Sequence, residues 1–307
     1  MTDDIGNLPG VPSPHSAFFS QEKARELFDR ALYRADEHAK AKMGEFRRLW
    51  EQYIDNHPWD EDVAPDATRT QFELFIVPRE NPPTGLSLAF GEWAQALRAA
   101  LDNAVYAYAV AVTGEYPPEG AEQLQFPIFE SPEKYAKSRW RYRTIPDFFE
   151  ATEKVQPYQS PWGPTSNLLY WINELGRTDR HREPHIGLGR VEKHKIGVYL
   201  PVGTNVEIDM EVKPWGSIEE PRLIGRFSTD KPVPLGELRV DFIGVEIGPE
   251  VKNWSTFQMD GKGPGSLHDR MVHSTIYTRN HIENIALLAG IAPSGGFQTF
   301  DPDDPDE

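Results

Sequence analysis

The chain has 307 residues, 38% of them hydrophobic, 11% aromatic and 26% charged, a composition that excludes wholesale disorder. Lys and Arg number 32 against 48 Asp and Glu, and the resulting net charge of −16 excludes a nucleic-acid coat over the whole surface. There is no Cys, which removes disulfides, thiolate metal sites and Cys nucleophiles together.

Residues 1–18 are rich in Gly, Pro and Ser without a period and read as a flexible arm. The opening MTDDIGNLPGVPSP has no basic flank and no apolar stretch, so no signal peptide is expected. Ser20 is placed to cap a helix over 21–54, whose apolar positions Leu27, Ala31, Ala35, Phe46, Leu49 and Tyr53 recur mainly every three or four residues. Pro58 and Pro65 mark a loop. Phe72 to Val77 is a run of strand formers ended by Pro78. An Ala-rich helix is predicted over 88–112, stopped by Gly114.

Phe126-Pro127-Ile128-Phe129 reads as extended. Ser131-Pro132 opens a helix to about residue 155 that breaks near Pro146. Thr165 or Ser166 caps a further helix to about Arg182, ended by Pro184. Beyond residue 190 the period changes to two. Ile196, Val198 and Leu200 line up, and Val206, Ile208, Met210 and Val212 alternate with charges. Strands are also predicted near 222–228, 237–247 with a bulge at Phe242-Ile243, and 270–278, before a short helix over 282–289. The tail from residue 301 has five acids in seven residues.

The fold class expected is therefore α+β, an N-terminal helical bundle followed by a C-terminal antiparallel β-sheet region. The division is a flexible arm (1–18), a helical domain with one short strand (19–190), an antiparallel β domain (191–292) and an acidic disordered tail (293–307). No apolar run reaches the ~18 residues of a membrane span, and a cytoplasmic location is expected.

Neither GxxxxGK[ST] nor GxGxxG occurs, and Gly261-Lys262-Gly263-Pro264-Gly265 reads as a plain flexible loop. GxSxG and HExxH are also missing, so no cofactor and no bound metal are expected. Three clusters remain. The first is Arg177 to His185, with His181 and His185 four apart and the carboxylates Asp179 and Glu183 interleaved in the segment. Pro184 interrupts the shared helical face that a zinc site needs. His181, His185 and His194 as ligands of a metal-dependent hydrolase are therefore the weaker reading, beside a solvated, ion-paired helix end. The second is Arg98, Asp102 and Asn103, where Arg98 and Asp102 are i,i+4 neighbours next to the apolar stripe. A charge there needs counter-groups on a facing helix. Asp179 and His181 are the expected partners, making one structural polar cluster.

The third is Lys134 to Arg143, five basic residues without an acid. Lys134, Lys137, Arg139, Arg141 and Arg143 can hold phosphates and Trp140 can stack a base, so RNA is the partner expected if this patch is free. The alternative is that these side chains cover apolar surface and pair with the surplus acids.

The series Leu97-Arg98-Ala99-Ala100-Leu101-Asp102-Asn103, Phe126-Pro127-Ile128-Phe129, Gln156-Pro157-Tyr158 and Asp179-Arg180-His181-Arg182 resembles a family of uncharacterised bacterial proteins. That family carries LRSALDH, FPIF, QPY and DKHR signatures in this order. The resemblance spans roughly residues 70–190 and implies no activity. This chain has Asn103 where His is frequent and Arg180 where Lys is usual. Arg180 and His185 also resemble the Arg-x(4–6)-His motif of HEPN-type ribonucleases. That resemblance implies a helical bundle acting on RNA without metal, usually across a homodimer seam, with Arg180 and His185 catalytic and His181 and Arg182 assisting. The leading expectation is a binding or structural role for the Arg/Asp/His cluster, with the ribonuclease second.

Overall fold

A computed structural model of the chain describes residues 14–181, 186–209, 218, 220–251, 254 and 265–292, without the side chains of 14–18, 178–181, 188, 190 and 192–194. The protein is α+β. Its helices are α1 (Pro14–Tyr33), α2 (Ala39–Ile54), α3 (Thr84–Thr113), α4 (Pro132–Ser138), α5 (Pro146–Thr152), α6 (Leu168–His181) and α7 (Leu267–Leu288). Its strands are β1 (Trp59–Pro65), β2 (Gln71–Pro78), β3 (Ile186–Tyr199), β4 (Val206–Asp209), β5 (Arg222–Thr229) and β6 (Arg239–Val251). One π-helical turn, Arg34–His38, joins α1 to α2. No described helix is long and apolar enough to cross a membrane.

The chain forms two compact units, each assembled from separated stretches. The first takes Met1–Ala41, Glu92–Arg177 and Val272–Glu307; the second takes Lys42–Gly91 and Thr178–Met271.

In the first unit, Trp93, Leu97, Ala100, Leu101, Ala104, Val105, Ala107 and Tyr108 of α3 are all buried. Burial on several sides makes α3 a central helix. It ends where expected, on Gly114 at φ +72°, the left-handed conformation that glycine adopts without strain. Ser20 does not cap: α1 begins earlier, at Pro14, and the Ser20 hydroxyl donates to the Gly114 carbonyl at 2.6 Å. Pro14 is tolerated because a helix's first residues need no N–H donor. The expected break near Pro146 is present, with a 3₁₀ stretch Arg139–Tyr142 between α4 and α5. Asn167, rather than Thr165 or Ser166, caps α6, its Oδ1 accepting from Leu169 N at 2.8 Å.

The second unit holds two antiparallel sheets, β1-β2-β5-β4 and the ribbon β3-β6. On β2, Phe72, Leu74 and Ile76 are fully buried, so one face of the larger sheet meets the unit's core. Phe72 stacks on its cross-strand neighbour Phe227, ring centres 4.6 Å apart. Phe46, Phe90 and Trp254 continue this aromatic core at 6.1 Å spacings. The bulge in β6 falls just beyond the predicted site: the register slips between Ile243 and Glu246, and Gly244 has φ +69°. At the other end of the ribbon, a Cβ on Gly189 would lie 2.4 Å from the Gly248 carbonyl oxygen, so only glycine permits this approach.

Two stretches also change class. The stretch 59–65, read as a loop, is β1; its Asp-Glu-Asp run has little strand propensity, and pairing with β2 along all seven residues supplies the order. The stretch 270–278, read as a strand, lies inside α7, and the short helix over 282–289 is its continuation. Met271, Val272, Ile276 and Tyr277 are strand formers, but the helix is started by a reciprocal cap. Asp269 N donates to Ser266 Oγ at 3.0 Å, and Ser266 N donates to Asp269 Oδ2 at 3.1 Å. The acidic tail 293–307 and most of the arm lie outside the described residues.

Candidate functional site

In the first unit, three of the four motif segments form one clamp. Arg98 Nη2 lies 3.2 Å from Asp102 Oδ1, the i,i+4 pair expected. Both side chains then grip the main chain of Phe126. Arg98 Nη1 donates to the Phe126 carbonyl at 3.0 Å, and Phe126 N donates to Asp102 Oδ1 at 2.7 Å. Downstream, Gln156 Nε2 donates to the Pro127 carbonyl at 2.8 Å and its Oε1 accepts from Phe129 N at 3.0 Å. Tyr142 Oη donates to the Gln125 carbonyl at 2.7 Å. Burial pushes the Tyr142 phenol up to about 12, so it stays a donor at neutral pH. The extended segment 125–129 makes no ladder, and these side chains satisfy its polar groups in place of a strand.

Asn103 does not join the clamp. Its Nδ2, the Thr278 hydroxyl and His281 Nε2 are buried without a hydrogen-bond partner. His281 packs edge-on to Tyr277 (4.4 Å) and beside Phe126 (5.9 Å). Burial lowers its pKa to about 4, so the ring is neutral at physiological pH. An unfolded histidine takes up a proton near pH 6.5, whereas this one does so only near 4. Stability is therefore expected to fall by up to about 3 kcal/mol as pH drops through that window, and to be fully present above it. Urea midpoints measured from pH 7 to pH 4 should show this slope, and His281→Leu should flatten it. Another polar centre missed in the sequence is Arg279, buried between Glu283 Oε1 (3.0 Å) and Asp36 Oδ2 (3.6 Å). Burial raises the Asp36 pKa, and Arg279 opposes that rise.

Gly176 of α6 lies against α3: a Cβ there would sit 3.7 Å from Arg98 Cβ. Arg180 and His181 follow one turn later on α6. The predicted Arg98–Asp179 and Asp102–His181 contacts fall on side chains outside the described residues, as do His185, Arg182 and the side chain of His194. Among the described residues no group of three or more His, Asp or Glu side chains is arranged to hold a metal.

The basic segment is less open than its composition implies. Arg143 pairs with Glu119 at 2.7 Å and Arg139 with Glu150 at 3.3 Å. Arg141 lies over the Trp140 ring at 5.5 Å. Tyr135 and Tyr142 are 2% exposed and cannot stack a base; Trp140, at 55%, can. Lys134, Lys137 and Arg141 carry the positive charge of the segment that no ion pair takes up among the described residues.

The second unit contains an open groove of about 680 Å³ on the solvent face of the four-stranded sheet. Two cross-strand rows build it. Ala64, Glu73, Arg226 and Asp209 stand in register, and Gln71, Ser228 and Glu207 form the next row on that face. Arg226 Nε is bonded to Glu73 Oε1 at 2.9 Å, so the groove's cation is partly spent on one of its own acids. Asp66 stands at the rim, its carboxylate accepting from Thr68 Oγ1 and from the N–H groups of Thr70 and Gln71. These bonds hold its pKa down near about 2. The groove therefore keeps negative charge across the physiological range. The alternation of Glu207 and Asp209 marks a wet strand face in the sequence, but the pairing that sets it beside Glu73 is long-range.

No family, curated protein or solved structure matches this chain.

Proposed function

We propose that the chain is a cytoplasmic binding protein, with a clamped helical unit as scaffold and the acidic groove of the four-stranded sheet as its ligand surface. The carrying observation is the groove lining: Asp66, Glu73, Glu207 and Asp209 against Arg226, the one cation that lines it among the described residues and already bonded to Glu73. Such a lining attracts positively charged extended ligands and repels phosphates. The Arg98–Asp102 cluster supports a structural role, because its described hydrogen bonds end on the main chain of Phe126. The lack of Cys agrees with a reducing compartment. A synthetic alternating Lys–Val peptide should bind, with affinity falling as salt rises. Glu207→Lys should weaken it roughly tenfold, about 1.4 kcal/mol, while Glu26→Lys on α1 should not. Binding that ignores both salt and Glu207→Lys overturns the groove reading.

A second reading, a metal-independent ribonuclease acting as a homodimer, is favoured by one observation. The contact of Gly176 with Arg98 brings the turn before Arg180 and His181 beside the α3 polar pair. Cleavage of labelled single-stranded RNA in the presence of chelator, lost in Arg180→Ala, would support it. Intact RNA under those conditions would remove it.

A further inference from the structure

We infer that the outer edge of β1, at the end of the sheet opposite β4, is a docking edge for one kind of partner, an extended strand carrying Lys or Arg. β1 is the end strand of the sheet, and its seven residues pair with β2 from Trp59↔Pro78 to Pro65↔Phe72. Among the described residues no strand lies along its other side. An edge of this kind is a template for main-chain pairing, and proteins blunt such edges to stop indiscriminate addition.

The blunting here is specific. Val63 N–H donates to Asp62 Oδ1 at 2.8 Å, so a side chain holds a donor that a partner strand's carbonyl would otherwise take. By the two-residue alternation of an antiparallel ladder, the main-chain groups of Glu61 share that outward direction. Asp60, Glu61 and Asp62 are all exposed. Asp60 has Arg79 at 3.5 Å, whereas no ion pair of Glu61 or Asp62 occurs among the described residues.

The charge pattern decides the occupant. A second copy of this edge would set like charges opposite one another, which disfavours pairing. A neutral strand would have to displace the Asp62 carboxylate from Val63 N–H with nothing to receive it. A cationic strand receives it: Lys or Arg opposite Asp62 draws the carboxylate away and frees the donor, on the face that Asp62 shares with Asp60. The guard on the edge thus selects for charge. Affinity then comes from main-chain hydrogen bonds and specificity from alternate side chains, the general mode of strand addition.

The test uses the full chain, the alternating Lys–Val peptide, and the same peptide N-methylated at alternate amides. Hydrogen exchange at Glu61 and Val63 is expected to slow about tenfold on peptide addition, and N-methylation to weaken binding roughly tenfold, the loss of about one hydrogen bond. Asp62→Asn keeps a cap for Val63 N–H but removes the charge, and it should weaken binding while leaving the melting temperature unchanged. Peptide binding with unchanged exchange at Glu61 and Val63 overturns the docking edge. If that binding is still lost in Glu207→Lys, the groove reading survives alone. Protection of Val63 with an inert Glu207→Lys leaves the docking edge standing and removes the groove reading. A peptide that does not bind overturns both.

Discussion

Replacing Arg270 by Ala should destabilise the protein by about 3–5 kcal/mol, the largest single-residue effect expected outside the aromatic core. Arg270 is 2% exposed and its partner Glu250 1%. Nη2 reaches both carboxylate oxygens, at 2.7 and 2.8 Å, Nη1 donates to the Trp254 carbonyl at 2.9 Å, and Nε donates to the Ser266 carbonyl at 3.3 Å. The guanidinium also lies 4.8 Å from the centre of the Trp254 ring. Removing the arginine leaves a carboxylate buried with no cation, and that uncompensated charge, rather than lost attraction, supplies most of the cost. The double variant Arg270→Met with Glu250→Leu should therefore be more stable than Arg270→Ala. Chemical denaturation of both variants decides it: a double variant weaker than the single one would mean that the ion pair itself holds the end of β6 to the start of α7.

Asp102→Ala should cost about 2–4 kcal/mol, because it strands two groups at once. Phe126 N–H loses its acceptor, and Arg98 loses the carboxylate 3.2 Å away. Asp102→Asn keeps an acceptor and should recover part of the loss. If Asp102→Ala folds with unchanged stability and loses binding or RNA cleavage instead, the clamp is a functional site rather than a brace. Thermal melts, together with the peptide and RNA assays, separate the two outcomes.

What the sequence discloses depends on the range of the interaction. The spacing of Arg98 and Asp102 is local, and so is the pair they make. The Ser266–Asp269 cap is equally local and legible, yet the strand formers that follow it pull the reading of 270–278 toward β. Burial around α7 overrides that propensity. β1 is invisible for the complementary reason: three consecutive acids disfavour a strand until β2 is there to pair with. The clamp on Phe126 joins segments 24 residues apart, and the motif order hints at it without giving its geometry. The acidic groove needs β2 beside β5, and no pattern within either strand states that. The buried His281 follows Arg279 and Asn280 in a mixed helical stretch with no motif around it.

The larger sheet also sets a timetable for folding. The β1–β2 hairpin closes over a five-residue connection and can form as soon as it is made. The strand on the far side of β2 comes much later, since Glu73 and Arg226 are 153 residues apart. At ~5–20 residues per second of synthesis, that is roughly 8–30 s during which β2 has one edge unfilled. Throughout that interval the growing chain carries two open strand edges, one guarded by the three consecutive acids of β1 and the other by the lone Glu73 of β2.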